Sequence, residues 1–216
     1  MKATIIGATG LIGNELVNLL LIDDRIQEVV VFVRRTLGFS HEKLQEHIIN
    51  FDKPEEWREL VTGDIFFSTL GTTMKQAGSK EAQYKVDHTY QYEFAKAASE
   101  NGLQNYVLVS AVGADPKSTF FYSRMKGELE QDVAKLDFSS IHIIQPGLLH
   151  GDRNENRFGE AFTFYALNAV NALGLFKKYR PIHGKTVAQA MINAALSFKK
   201  GAHSYTLEAV FELSKQ

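Results

Sequence analysis

The 216-residue chain contains no cysteine. Disulfides, thiolate metal sites and a cysteine nucleophile are therefore excluded. The absence fits a reducing compartment, and the expected location is cytoplasmic. Proline is sparse, at four residues, and no linker, repeat or low-complexity segment interrupts the pattern, so a single domain over 1–216 is expected. No apolar run is long enough to span a bilayer. The first apolar strand begins at residue 2, so no secretory signal is expected. Net charge of either sign is almost lacking, at a formal −1, which argues against nucleic acid or an acidic membrane as partner. Seven histidines are present, but none pairs with another at metal-ligand spacing, so no metal site is expected.

Apolar runs alternate with helical periodicity through the first two-thirds of the chain. Strands are expected near 2–6, 28–33, 47–51, 64–69, 105–110 and 140–145, and helices near 11–22, 41–45, 54–61, 81–101 and 123–136. Unbroken runs such as Val29-Val30-Val31-Phe32-Val33 suit a strand covered on both faces. The alternation then implies an α/β, doubly wound parallel sheet with helices on both faces. After residue 150 a helix with a broad apolar face is expected at 158–176, then a helix near 185–199 and a strand near 204–210. Residues 151–216 are expected to form a short extension covering the substrate crevice. The 158–176 segment fits a core or subunit-contact helix, which leaves a homodimer open, or a substrate lid; a membrane-surface helix is the third reading, disfavoured because its polar residues are mostly Asn and Thr rather than Lys.

The densest motif is Gly7-Ala8-Thr9-Gly10-Leu11-Ile12-Gly13, directly after the first strand. A strand that turns sharply into a helix leaves the first amides of that helix unpaired and directed at whatever lies above the strand end. Gly7 permits the turn, Gly10 lets backbone approach a pyrophosphate, and Gly13 lets helix and strand pack closely. Each strand end adds a candidate. The second ends in Arg34-Arg35 where an acidic residue would select NAD(H); guanidinium groups suit a 2′-phosphate, so NADP(H) is preferred over NAD(H), the alternative being a solvated cap. Asp52, just after the third, is placed to face the adenine or to sit in a surface turn. Thr69, Leu70 and Gly71 end the fourth beside ribose and pyrophosphate. Pro146, Gly147 and Leu148 pass the nicotinamide or simply terminate the sixth.

Ser110 closes the fifth strand, and Tyr122 and Lys126 stand four apart on the next helix, so the last two share a face. A neighbouring ammonium favours phenolate and brings tyrosine towards the range of general acid–base chemistry. A serine at the strand end can polarise a carbonyl oxygen. Phe120, Phe121, Phe158, Phe162 and Phe164 fit an apolar pocket wall and fit core packing equally well.

Taken together, the glycine loop, Ser110, Tyr122, Lys126 and Pro146-Gly147 resemble the short-chain dehydrogenase/reductase superfamily. Ser68-Thr69-Leu70-Gly71-Thr72-Thr73, the run from Tyr122 to Glu130, Gln145-Pro146-Gly147, Asp152-Arg153 and Arg157-Phe158-Gly159-Glu160 resemble its atypical branch, the Tat-interacting-protein-like small oxidoreductases. The resemblance implies a Rossmann fold binding NADP(H), with Ser110, Tyr122 and Lys126 in the catalytic positions and a small carbonyl or alcohol as substrate. It leaves open a redox-sensing regulator that binds NADP(H) without turnover. One departure stands out. Where many relatives carry an asparagine at the start of the helix before strand five, the nearest candidate is Asp87.

Overall fold

The computed structural model describes residues 1–150 and 180–216. Five central strands form where the apolar runs predict them: β1 (Lys2–Ile6), β2 (Glu28–Val33), β4 (Ile65–Ser68), β5 (Asn105–Val109) and β6 (Ser140–Gln145). With β3 (Leu44–Ile48) and β9 (Gly201–Thr206) they make a seven-stranded sheet in the order β3-β2-β1-β4-β5-β6-β9. Every pairing is parallel. The order reverses between β1 and β4, which is where an open α/β sheet leaves a crevice for a ligand at its carboxyl edge. A separate parallel pair, β7 (Leu149–His150) with β8 (Ile182–His183), lies beyond the end of β6.

Helices cover both faces. On one, α1 (Leu11–Leu21), α7 (Gly184–Leu196) and α8 (Glu208–Leu213) bury Leu16, Leu20, Val187, Met191 and Val210 against Ile5, Val31 and Phe67 of the sheet. On the other, α2 (Pro54–Trp57), α5 (Tyr90–Glu100) and α6 (Phe121–Val133) pack Trp57, Phe94 and Leu129 on Phe32, Phe66 and Tyr106. Trp57 and Phe94 stack with ring centres 3.8 Å apart. Two short helices, α3 (Met74–Ala77) and α4 (Lys80–Tyr84), follow β4, and Thr73 and Ser79 cap them through their hydroxyls.

Several expected elements shift. The third strand, expected at 47–51, runs Leu44–Ile48, and the helix expected at 41–45 does not form. This strand is the polar edge of the sheet, and its register is set by pairing Leu44 with Val29 rather than by its own hydrophobicity. The apolar residues that suggested a later start divide: Ile48 is 63% exposed while Phe51 is buried beyond the strand. The helix expected at 81–101 is interrupted by a π segment over Lys85–Thr89. The last strand ends at Thr206 because Leu207 takes φ 49°, and the chain turns into α8. Residues 184–213 thus join the layers of the sheet. The expected helix at 158–176, with Phe158, Phe162 and Phe164, lies outside the described residues.

Candidate functional site

The glycine loop is built as a close-packed cradle. Gly7 has φ +83°, and a Cβ there would lie 2.4 Å from the Leu70 amide. A Cβ on Gly13 would lie 2.1 Å from the Gly7 carbonyl oxygen and 2.6 Å from Thr69 Oγ1. Both contacts are far below van der Waals separation, so only hydrogen fits. Gly10 caps α1 without any side-chain hydrogen bond, and no acidic residue occupies the first turn. The positive end of the helix, with Leu11, Ile12 and Gly13 supplying its first amides, is therefore left to an anion. Thr9 sits exposed at the tip. Across the reversal point the Thr69 amide and hydroxyl both donate to the Ile6 carbonyl, at 3.0 and 2.9 Å, which fastens the Thr69-Leu70-Gly71 loop to the end of β1.

Arg34 and Arg35 follow β2 directly and are exposed. Asp52, beyond the end of β3, is held by two side chains: Tyr90 donates its hydroxyl to Oδ1 at 2.7 Å and Lys85 pairs with the same oxygen at 2.6 Å. Its pKa falls below the usual carboxylate value, chiefly through Lys85 and then Tyr90. Pro146 and Gly147 are buried after β6, and the Val112 amide donates to the Pro146 carbonyl at 3.4 Å. The Leu148 carbonyl accepts from Ile182 at 2.8 Å, joining this turn to the small parallel pair.

Around Ser110 the structure assembles an ionisable cluster. Ser110 is buried, its amide donates to Ile144, and its hydroxyl has no hydrogen-bond partner among the described residues. Tyr122, Lys126 and Glu130 recur every four residues on α6 and so share one face. Glu130 accepts two hydrogen bonds from Gln145 Nε2, at 2.8 and 3.0 Å. Burial pushes Glu130 above the usual carboxylate value, against the pull of Gln145, Ser110 and Lys126. Lys126 is 4% exposed and its ammonium lies 3.3 Å from Asp87 Oδ1, itself 2% exposed. Burial works against the charged lysine, but Asp87, with Tyr122 and Glu130, more than offsets it and holds the pKa above the usual value. Asp87 is pushed upward by burial and pulled back by Lys126 and the Thr72 amide. Tyr122 responds differently from the expectation drawn from its sequence spacing. Burial raises its pKa, Lys126 lowers it, Asp87 raises it again, and the net direction is upward.

Gly127 was silent in the sequence but shapes this site. A Cβ there would lie 2.2 Å from the Pro116 nitrogen, so the loop after β5 lies directly on the α6 backbone between Lys126 and Glu128. Asp87, Thr72, Glu130 and Gln145 were noticed only through the family resemblance, and their contacts with Lys126 and with one another could not be foreseen because the partners are remote in sequence. The one available signal was the i, i+4, i+8 spacing of Tyr122, Lys126 and Glu130. Among the described residues, no group of three His, Asp or Glu side chains could hold a metal ion. No helix among them is long and apolar enough to cross a membrane.

Residues 7–160 match the family described as NAD(P)H-binding. The chain belongs to the NAD(P)H-binding family. Among its relatives, the protein fmp52, mitochondrial, of Aspergillus fumigatus is 37% identical over 208 residues, covering 93% of this chain and 89% of the relative. The protein FMP52, mitochondrial, of Saccharomyces cerevisiae is 34% identical over 210 residues, covering 91% and 88%. The fold of this NAD(P)H-binding protein is also that of an oxidoreductase, ylbE from Lactococcus lactis, with TM-score 0.69 at 20% identity over 100% of this chain and 98% of the other. MoeE5 in complex with UDP-glucuronic acid and NAD gives TM-score 0.72 at 15% identity, over 96% and 76%. The sheet is accordingly of the Rossmann type, the fold these solved structures share and the one the motifs led one to expect. The expected cytoplasmic location is corrected by the fungal relatives, whose names place them in mitochondria. A chain without thiols carries no record of its redox compartment, so the missing cysteine could not decide between them.

Proposed function

We propose that this NAD(P)H-binding protein is an NADP(H)-dependent oxidoreductase acting on a small carbonyl or alcohol through Ser110, Tyr122 and Lys126. The observation that carries the reading is the buried Ser110 hydroxyl, near enough to Glu130 to lower its pKa yet without a well-formed hydrogen bond among the described residues, against the α6 face that also bears Tyr122 and the buried Lys126 ammonium. A buried hydroxyl left without a partner is costly unless a ligand completes it. The cofactor, when bound, supplies or accepts the hydride. Ser110 donates its hydrogen bond to the substrate oxygen and polarises the carbonyl. Tyr122, a phenol protonated at neutral pH whose pKa is shifted further upward by burial, delivers its proton to that oxygen as the carbon is reduced. Lys126 supplies positive charge beneath the phenol and binds the nicotinamide ribose. Hydride plus proton converts carbonyl to alcohol, and the proton is returned to Tyr122 from solvent.

The cradle supports cofactor binding by the chain's own atoms. The amides of Leu11, Ile12 and Gly13 hold the pyrophosphate, Gly7, Thr9 and Gly10 shape its approach, and Thr69, Leu70 and Gly71 line the ribose side. Pro146, Gly147 and Leu148 meet the carboxamide. Arg34 and Arg35, exposed at the end of β2 with no carboxylate of that strand end beside them, support the 2′-phosphate and hence NADP(H). Asp52, fixed by Lys85 and Tyr90, frames the adenine end.

The test is NADPH oxidation over a panel of aldehydes, ketones and quinones, with Tyr122→Phe in parallel. Turnover by the wild type, lost in the variant with NADPH affinity kept within about twofold, is the expected result. An active Tyr122→Phe protein would overturn the role of Tyr122. Tight NADPH binding without turnover on any substrate would replace the reductase by the redox-sensing regulator.

A further inference from the structure

Resting on the reductase reading of this site, we propose that Asp87 is the positioning residue of Lys126: its carboxylate fixes the ammonium, ties it to the loop after β4, and takes up charge that Lys126 would otherwise direct at Tyr122. The geometry is specific. One carboxylate oxygen lies 3.3 Å from Lys126 Nζ, with both side chains under 5% exposed. The other accepts the Thr72 amide at 2.8 Å. Gly71 leaves the room this requires, since a Cβ there would stand 3.3 Å from Asp87 Oδ1. The loop proposed to line the cofactor is thus joined through one carboxylate to the lysine of the catalytic set.

The backbone is shaped to deliver Asp87 there. It lies in the π segment Lys85–Thr89, where the helix between β4 and β5 takes an extra residue per turn. Such segments re-aim side chains and recur at functional sites. A second chain of bonds fixes the segment from the sheet: Ser68 donates to Gln91 Oε1 at 2.7 Å, and Gln91 Nε2 donates to the Asp87 carbonyl at 2.8 Å. A buried ion pair is by itself weak evidence for stability, because desolvation consumes most of the attraction. Here the pair sits beside a phenol proposed to move a proton, and one partner has no solvent-facing alternative.

The charges that bear on the prediction are few. Lys126 faces Asp87, Tyr122 and Glu130; Tyr122 faces Lys126 and Asp87; Asp87 faces Lys126 and the Thr72 amide. Glu130 faces Gln145, Ser110 and Lys126. Removing the Asp87 charge leaves the Lys126 ammonium opposed only by Glu130, and Tyr122 ionises more easily.

The experiment titrates Tyr122 by ultraviolet absorbance in the full-length protein, isolating its signal by subtracting matched Tyr122→Phe spectra. Asp87→Asn keeps an acceptor for Thr72 and removes only the charge. In Asp87→Asn, Tyr122 is expected to ionise about one pH unit lower than in the wild type. The alkaline limb of NADPH-dependent reduction moves down by the same amount, while KM changes by less than about twofold. A folded Asp87→Asn protein whose Tyr122 titration stays in place or rises overturns the proposal. Should Asp87→Asn fail to fold, a wild-type Tyr122 titrating below the ordinary tyrosine value of 10.0 overturns it equally. If no carbonyl is turned over yet the titration moves as expected, the reductase reading falls and the Asp87 assignment stands.

Discussion

Replacing Lys126 with methionine removes the ammonium but keeps most of the side-chain volume. It strands the Asp87 carboxylate, 2% exposed, with the Thr72 amide as its remaining partner among the described contacts. Breaking one side of a buried ion pair costs about 3–5 kcal/mol, because the survivor is an uncompensated buried charge. For a chain of this length each kcal/mol lowers Tm by about 2–4 °C, so a fall of about 6–20 °C is expected. The pH dependence carries more information. Burial already raises Asp87 above its ordinary value, with Lys126 opposing; without Lys126 the rise is larger. The folded state then binds the proton more tightly than the unfolded chain. Its deficit is greatest above the raised folded pKa and shrinks as pH falls towards the ordinary value of 3.8. Lys126→Met should therefore recover towards wild-type stability on acidification from neutral pH. Lys126→Met with Asp87→Asn removes both charges and should regain most of the loss at neutral pH. Urea unfolding of the three variants between pH 4 and 8 measures both effects as a double-mutant cycle. A single variant costing under about 1 kcal/mol with no pH slope relative to wild type, or a double variant no better than the single, would refute the reasoning.

Other outcomes follow from separate parts of the molecule. Arg34→Ala with Arg35→Ala should weaken NADPH binding by at least about tenfold more than NADH binding, measured by fluorescence titration; equal losses would remove the basis for NADP(H) preference. Gly127→Ala places a methyl 2.2 Å from the Pro116 nitrogen. A cost of about 3 kcal/mol or more is expected, seen as a Tm lowered by about 6–12 °C, and a shift under about 1 °C would contradict the contact. His142 is fully buried on β6, and burial, with the charges of His203 and Lys199 adding, lowers its pKa to about 4. Ser140 gives its hydroxyl proton to the Lys199 carbonyl, so Nε2 of His142 donates to Ser140 and Nδ1 accepts from Tyr205. That neutral form stabilises the fold fully above the ordinary histidine value of 6.5, and the contribution is lost as pH falls towards 4. The loss amounts to about 3 kcal/mol. His142→Gln should flatten this part of the pH profile of urea unfolding, and an unchanged slope would show that His142 does not carry it.

Much of this protein could be read along the chain. The turn after β1 needs positive φ at Gly7 and bare backbone at Gly13, and both demands show in the spacing of glycines alone. The Val29–Val33 run announces a strand covered on both faces, and Tyr122 and Lys126 share a helix face at any tertiary arrangement. What the chain could not disclose depended on strand order. β3 takes its register from β2, so its own polar residues misplaced it. Asp87 meets Lys126, and Glu130 meets Gln145, only because β4, β5 and β6 lie side by side and bring their following segments to one edge. The upward shift of Tyr122 has the same origin. Local spacing supplied the ammonium, but burial and a carboxylate from another helix decide which way the proton is held, and both exist only once the sheet has closed its layers around them.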